Sequence, residues 1–155
     1  MNTSAINYFR CVNKIRFAFR YLKYLFVAKT RHGTHSPFVY SLLEEVIYDK
    51  CHYYVFDEIE LLRKKLLRDE RTINIKDFGA GSNVNTSPQR KIKDLAKNSA
   101  KAKKYGRLMF RLIEKFKPET LLELGTSLGI SALYQVSAAP KSKFITMEGC
   151  PETAG

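Results

Sequence analysis

Residues 121–148 constrain the fold of this chain more than any other stretch. The segment LLELGTSLGIS carries an apolar run into Gly125, and Gly129 follows four residues later. Nineteen residues beyond Gly129, the run FITME ends in Glu148. This order predicts a strand, a tight glycine turn, a helix, and a second strand with an acid at its C-terminal end. We therefore expect a β-α-β unit and an α/β fold.

The spacing of the glycines indicates what such a unit binds. In α/β folds an acid about 20 residues beyond a glycine loop binds ribose hydroxyls. A dinucleotide site needs G-x-G-x-x-G, whereas Gly125 and Gly129 are separated by three residues with no third glycine in register. Glu123 would repel a phosphate and favour an ammonium group. The pattern predicts a nucleoside pocket, and the alternative is that the glycines serve only close helix–strand packing.

The pattern E-x-G-x-x-x-G resembles motif I of the class I S-adenosylmethionine-dependent methyltransferases, most closely their O-methyltransferase-like branch. In that family the glycines let the backbone approach the methionine part of the cofactor. The acid before them faces the amino end, often through water, and the acid closing the second strand holds the ribose. The resemblance implies this cofactor-binding set: Glu123, Gly125, Thr126, Ser127, Gly129 and Glu148.

The resemblance extends along most of the chain. The segments HGTHSPFVY, DFGAGS, YGRLMFRLI, LELGTSLGIS and EGCPE occur in this order in a group of predicted bacterial methyltransferases. The resemblance implies a cytoplasmic enzyme that methylates a small molecule or is directed at an oxygen. It assigns no catalytic residue and no metal ligand. A complete family member continues for about another hundred residues, so we expect an N-terminal fragment that is inactive by itself.

Three segments are expected. Residues 1–70 form an N-terminal helical region, residues 71–118 a loop and basic helices, and residues 119–155 the start of a truncated Rossmann-like domain that binds the cofactor. A parallel sheet of two strands cannot cover its own faces, because parallel sheets are normally buried. Helices or self-association are expected to supply the cover, and the oligomeric state is left open.

A second glycine-rich segment, DFGAGS at 77–82, looks like a methyltransferase loop when taken alone. The strand candidate before it, INIKDF, is short and half polar. The Glu123-to-Glu148 spacing, applied from Asp77, reaches Ala102 in a lysine-rich stretch instead of a strand-ending acid. We interpret 77–82 as a structured loop near the cofactor domain, with ligand contact as the alternative. Pro88 is expected in the first turn of a following helix.

The net charge of +12 is unevenly distributed. Residues 1–43 hold seven bases and no acid, and residues 88–117 hold eleven bases against two acids. Three scattered cysteines, without a secretory signal, fit a reducing compartment and exclude a disulfide framework or zinc site. No apolar run approaches the roughly 18 residues of a membrane span.

The first basic stretch predicts an amphipathic helix over about residues 5–29. Aromatic and aliphatic side chains recur at three and four residues, with arginine and lysine between them. One interpretation is binding to an anionic membrane surface. The preferred one is packing of the aromatic stripe, including Phe9, Phe19 and Phe26, on the rest of the protein or on a second copy.

Residues 32–68 predict two further helices. Ser36 and Pro37 suit the N-cap and first position of one. His32 and His35 before it lack a nearby carboxylate or cysteine that would complete a metal site. They are interpreted as a structural turn, with a capping or substrate-gating role as the alternative. The next helix covers about 55–68. Its expected inward side chains are listed together: Phe56, Ile59, Leu62 and Leu66.

The second basic stretch predicts two helices, or one helix broken near 104–106. One apolar stripe is expected from Ile92, Leu95 and Ala96, and another from Leu108, Met109, Leu112, Ile113 and Phe116. Lys93, Lys97, Lys101 and Lys104 are expected on one face. That face would bind nucleic acid phosphates or, more simply, stay solvated.

Overall fold

The structure is a computed structural model that describes residues 3–28, 33, 35–76 and 87–154. It mixes helices with small sheets, which agrees with the predicted α/β class at that level. The chain divides into two compact units, residues 1–43 and 44–155. The division into three segments stays a prediction, as does the Rossmann-like continuation.

The first unit contains two helices, α1 (Thr3–Val27) and α2 (Pro37–Leu42). Helix α2 begins as predicted, because the Ser36 hydroxyl accepts a hydrogen bond from the Val39 backbone N–H at 3.4 Å. The described side chains of α1, residues 15–27, are all exposed, and Phe26 is 89% exposed. Phe19 and Phe26 of the aromatic stripe are therefore exposed, and the side chain of Phe9 lies outside the described part of α1.

The second unit holds the remaining elements. A π-helical turn (Leu43–Ile47) leads into it. The helices are α3 (Tyr54–Leu66), α4 (Ile92–Asn98), α5 (Lys103–Phe116), α6 (Ile130–Ala138) and α7 (Pro151–Ala154). The strands are β1 (Thr72–Asn74), β2 (Gln89–Lys91), β3 (Thr120–Leu124) and β4 (Lys143–Met147).

An aromatic core joins α3, α5 and α6. The rings of Phe56 and Phe110 meet edge to face at 5.0 Å, and Phe56 lies 5.7 Å from Tyr134. The Tyr134 hydroxyl donates to Glu60 at 2.9 Å. Burial, with the hydrogen bond to Glu60, raises the pKa of Tyr134 to about 12. Aromatic pairs of this kind contribute beyond their buried area, so this cluster anchors the unit.

Strands β3 and β4 pair in parallel, in register from Thr120 opposite Lys143 to Leu124 opposite Met147. Helix α6 connects them, so the predicted β-α-β order is present. One face of this sheet is uncovered in the described part of the chain, and Leu124 is 73% exposed there. Helices normally cover both faces of a parallel sheet, so this exposed apolar face is unusual for one.

Strands β1 and β2 form a separate antiparallel pair, with Ile73 opposite Arg90. Pro88 precedes β2, so its predicted place in the first turn of a helix is wrong; that helix begins at Ile92. Glu70 lies beside this pair and binds Lys91 at 2.8 Å and Lys93 at 2.6 Å. Hydrogen bonds from the two ammonium groups lower the pKa of Glu70 to about 2, and the bond from Lys91 contributes most.

The helix break in the second basic stretch lies at residues 99–102, ahead of the predicted position. Lys101 therefore lies between the helices and Lys104 belongs to the next one, so the predicted single lysine face is wrong. Gly106 lies inside α5, where it lets the Tyr134 ring approach closely.

Two predicted apolar stripes need correction. Ile92, Leu95 and Ala96 are buried as expected. In α5, Ile113 is buried but Phe116 is half exposed, while Phe110 is buried and was not predicted. Leu62 of α3 is exposed, because the core lies on the Phe56 and Ile59 side of that helix.

Candidate functional site

The loop between β3 and α6 follows the glycine pattern. Gly125 has φ +86° and Gly129 has φ +72°, values that favour glycine. The Gly125 N–H donates to the Met147 carbonyl at 2.8 Å, which extends the strand pairing into the loop. Gly129 is the N-cap of α6, and its N–H donates to Thr126 at 3.0 Å. The glycines thus make a tight strand-to-helix turn.

Glu148 lies beside this loop, because the C-terminal ends of parallel strands share one edge. Its carboxylate accepts the Ser127 N–H at 2.6 Å and the Cys150 N–H at 2.9 Å. The Cys150 amide, with the Ser127 amide, lowers the pKa of Glu148 despite its partial burial. The group is therefore held ionised. The Gly149 amide and the Thr153 hydroxyl contribute less to the same lowering, so donors from the loop and from the start of α7 surround this carboxylate.

Ser127 has φ +49°, a left-handed conformation that is uncommon for serine. In this conformation the Ser127 backbone N–H donates to the Glu148 carboxylate. The loop is also tied to β4 by a hydrogen bond between the hydroxyls of Thr126 and Thr146.

A cleft of about 610 Å³ opens at this edge of the sheet. Four of the predicted site residues line it: Thr126, Ser127, Gly129 and Glu148. Its apolar lining comes from four side chains: Leu66, Ile73, Ile92 and Leu128. Its volume lies within the range of about 300–1,000 Å³ that is typical of small-molecule sites. The glycine loop and the strand-ending acid therefore meet in a cavity of suitable size.

Glu123 and Gly125 lie outside this lining. The Glu123 carboxylate accepts from the Gln135 amide at 2.7 Å and from the Thr146 hydroxyl at 3.3 Å. Through Thr146, which lines the cleft, Glu123 is connected to the cleft by one intervening side chain. Its expected role at the amino end of a cofactor stays a prediction.

Sequence reasoning missed the opposite wall of the cleft. Arg71 and Ile73 come from the region of β1, and Glu152 and Thr153 come from α7. Glu152 accepts the Asn74 backbone N–H at 2.5 Å, which joins these two elements. Glu152 belongs to the EGCPE segment, but no local pattern indicates that residues 78 positions apart will meet.

A smaller cavity of about 310 Å³ adjoins the cleft, and Ser127, Glu148 and Thr153 line both. The Cys150 thiol lies near it, 3.6 Å from the Asn74 carbonyl oxygen. Glu148 thus lines both cavities.

Two predicted features lie outside the described residues: the DFGAGS segment at 77–82 and His32. His35 is described and is exposed. Among the described helices, none has the length and apolar character needed to cross a membrane. Comparison with protein families, curated proteins and solved structures finds no match to this chain.

Proposed function

We propose that the 610 Å³ cleft binds S-adenosylmethionine and that the chain belongs to a methyltransferase that acts on a small molecule or is directed at an oxygen. The observation that carries the proposal is the meeting of the glycine loop with the ionised Glu148 in a cleft with an apolar wall. The resemblance of E-x-G-x-x-x-G to motif I supplies the choice of cofactor. A cytoplasmic location is part of the same proposal.

The donors and acceptors around Glu148 fit a ribose. The Ser127 and Cys150 amides take one acceptor position on each carboxylate oxygen. An ionised carboxylate beside a glycine loop also suits the vicinal hydroxyls of a ribose, which are both donors. The apolar side chains, among them Ile73 and Ile92, suit the faces of an adenine.

When bound, S-adenosylmethionine supplies an electrophilic methyl group on a sulfonium. The residues of this chain would hold the nucleoside end and exclude water from the cleft, which strengthens electrostatic contacts. Correct placement of donor and acceptor can supply roughly 7–11 kcal/mol of the barrier. Methyl transfer therefore needs no assigned base, and the proposal names Glu148 as a binding residue without naming a catalytic one.

Binding of S-adenosylhomocysteine tests the proposal. We expect Glu148→Gln to weaken the affinity measured by titration calorimetry by about 1.5–3 kcal/mol, because a charge-assisted contact is lost. Glu119→Gln is the matched control, since Glu119 is an exposed acid beside the opposite end of β3. Unchanged affinity in a folded Glu148→Gln protein would refute the assignment.

One observation favours a second candidate, binding to an anionic membrane surface. Arg16, Arg20 and Lys23 cluster on one side of α1, and aromatic and aliphatic residues fill most of the rest. All are exposed. Such helices lie in the lipid interface with cations at the headgroups. A nucleic-acid role is less favoured, because Lys91 and Lys93 are already paired with Glu70.

A further inference from the structure

A second cavity of about 510 Å³ lies along the first half of α5. Four cationic side chains line it: Lys103, Lys104, Arg107 and Arg111. Tyr105, Leu108 and Ile47 supply an aromatic and apolar wall. None of the described residues that line it is acidic, and it shares no lining residue with the cleft beside Glu148.

Helical spacing brings these cations together at a cost. Lys103, Arg107 and Arg111 follow one another at four residues, so they share a face of α5. Like charges at this spacing destabilise a helix. Lys103 and Lys104 also lie in the first turn, where the helix dipole disfavours cations. The first turn holds no acid, and Ala102 offers no side-chain cap. A bound anion would relieve all of these costs.

Arg107 gives an independent indication of a ligand. Its Nε is buried without a hydrogen-bond partner among the described residues, while its guanidinium lies over the Phe56 ring at 4.9 Å. A buried N–H without an acceptor is costly, and native proteins rarely leave one. The Nε of Arg111 is likewise buried without a hydrogen-bond partner among the described residues, although its Nη1 donates to the Val46 carbonyl at 3.0 Å.

The local charges favour a dianion. Asp49 lies 3.4 Å from the Arg111 Nε, and Asp57 binds His52 at 2.7 Å. The hydrogen bond from His52, with smaller contributions from Lys103 and Arg107, lowers the pKa of Asp57. Two carboxylates therefore stand against four cations in and around the cavity, which leaves an excess of two positive charges.

We propose that this cavity binds a small molecule that carries a phosphate group on an aromatic or apolar body. The phosphate would lie between Lys103, Lys104 and Arg107, and the body would lie against Tyr105 and Leu108. A concave site of this volume suits a small molecule. Nucleic acid would need a longer basic stripe, and the lysines that would extend it, Lys91 and Lys93, are paired with Glu70. The proposal is independent of the S-adenosylmethionine cleft.

Titration calorimetry of the whole chain tests the proposal with three probes: phenyl phosphate, inorganic phosphate and phenol. We expect phenyl phosphate to bind at least about tenfold more tightly than either of the others, because it alone satisfies both the cations and the apolar wall. Equal affinity for phenyl phosphate and inorganic phosphate would overturn the role of the wall. Absence of phenyl phosphate binding at millimolar concentration would overturn the site.

The double variant Lys103→Gln/Lys104→Gln is expected to weaken phenyl phosphate binding about tenfold or more. Both lysines are exposed, so the variant is expected to fold. The matched control is Lys64→Gln/Lys65→Gln, which removes two exposed lysines from α3, outside the cavity. Equal loss in both pairs would show a general charge effect and overturn the proposal. The proposal would also be overturned if a single-stranded RNA oligonucleotide bound more tightly than phenyl phosphate and if both double variants weakened that binding.

S-adenosylhomocysteine affinity is expected to stay unchanged in the Lys103→Gln/Lys104→Gln protein, which separates this test from the proposed function.

Discussion

The substitution Gly106→Ala is expected to destabilise the protein although alanine is the better helix former. Gly106 lies in α5 where this helix meets α6. A Cβ at this position would lie 2.5 Å from both Cδ2 and Cε2 of Tyr134. Tyr134 is fully buried and its hydroxyl is bonded to Glu60, so its ring has little room to move.

Two effects of opposite sign set the size of the change. Replacing a glycine inside a helix by alanine gains about 1 kcal/mol of helix propensity. Overpacking a filled core costs roughly 1–3 kcal/mol. Carbon atoms pack best at about 3.5–4.0 Å. A contact of 2.5 Å is much shorter, so we expect an overpacking cost in the upper part of the range of roughly 1–3 kcal/mol. We expect a net loss of about 1–2 kcal/mol in the free energy of unfolding.

Urea unfolding followed by circular dichroism measures this loss. A double-mutant cycle with Tyr134→Leu isolates the contact, since the smaller side chain removes the obstructing ring. In that background Gly106→Ala is expected to be neutral or stabilising. If Gly106→Ala raised the urea midpoint of the otherwise unchanged protein, the close approach of α5 and α6 would be wrong.

Two further predictions concern charged residues. Because its lysine partners lower the pKa of Glu70 from 4.5 to about 2, Glu70 stabilises the fold above pH 4.5 and loses this contribution as the pH falls towards 2. Glu70→Gln should therefore flatten the fall in urea midpoint across that range, and an unchanged pH profile would contradict the pairing. The triple variant Arg16→Gln/Arg20→Gln/Lys23→Gln should abolish sedimentation of the chain with phosphatidylserine vesicles, since each cation near such a surface contributes about 1 kcal/mol. Equal sedimentation of both proteins with these vesicles would argue against a membrane role for α1.

Local signals predicted the two strands of the parallel pair, missed β2, and predicted the basic helices only in part. Strand β3, which the apolar run before Gly125 predicted, spans Thr120–Leu124, because that short run lies between Pro118 and Gly125. Gly106 was interpreted as a helix break, since glycine is a weak helix former. Its actual role, room for a ring from α6, depends on a residue 28 positions away. Propensity could not reveal that contact.

The candidate site shows the same division. The positions of Gly125, Gly129 and Glu148 follow from the order of strand, turn and strand, and parallel pairing then brings the loop and the acid to one edge. The left-handed conformation of Ser127, which accompanies its hydrogen bond to Glu148, could not be predicted, because serine as a residue type does not indicate it. For Glu123 the sequence predicted a place at the pocket, whereas the structure pairs its carboxylate with the Gln135 amide outside the cleft lining.

The sequence by itself determined the β-α-β order, the glycine turn and the start of α2 at Ser36, because these depend on neighbouring residues, hydrophobic periodicity and capping. Only the tertiary structure decided which side chains enclose the cleft and the cationic cavity. The wall of the cleft needs α7 to meet β1, and the cavity needs Ile47 to lie beside α5. Such contacts between distant segments depend on how whole elements pack, which no local pattern encodes.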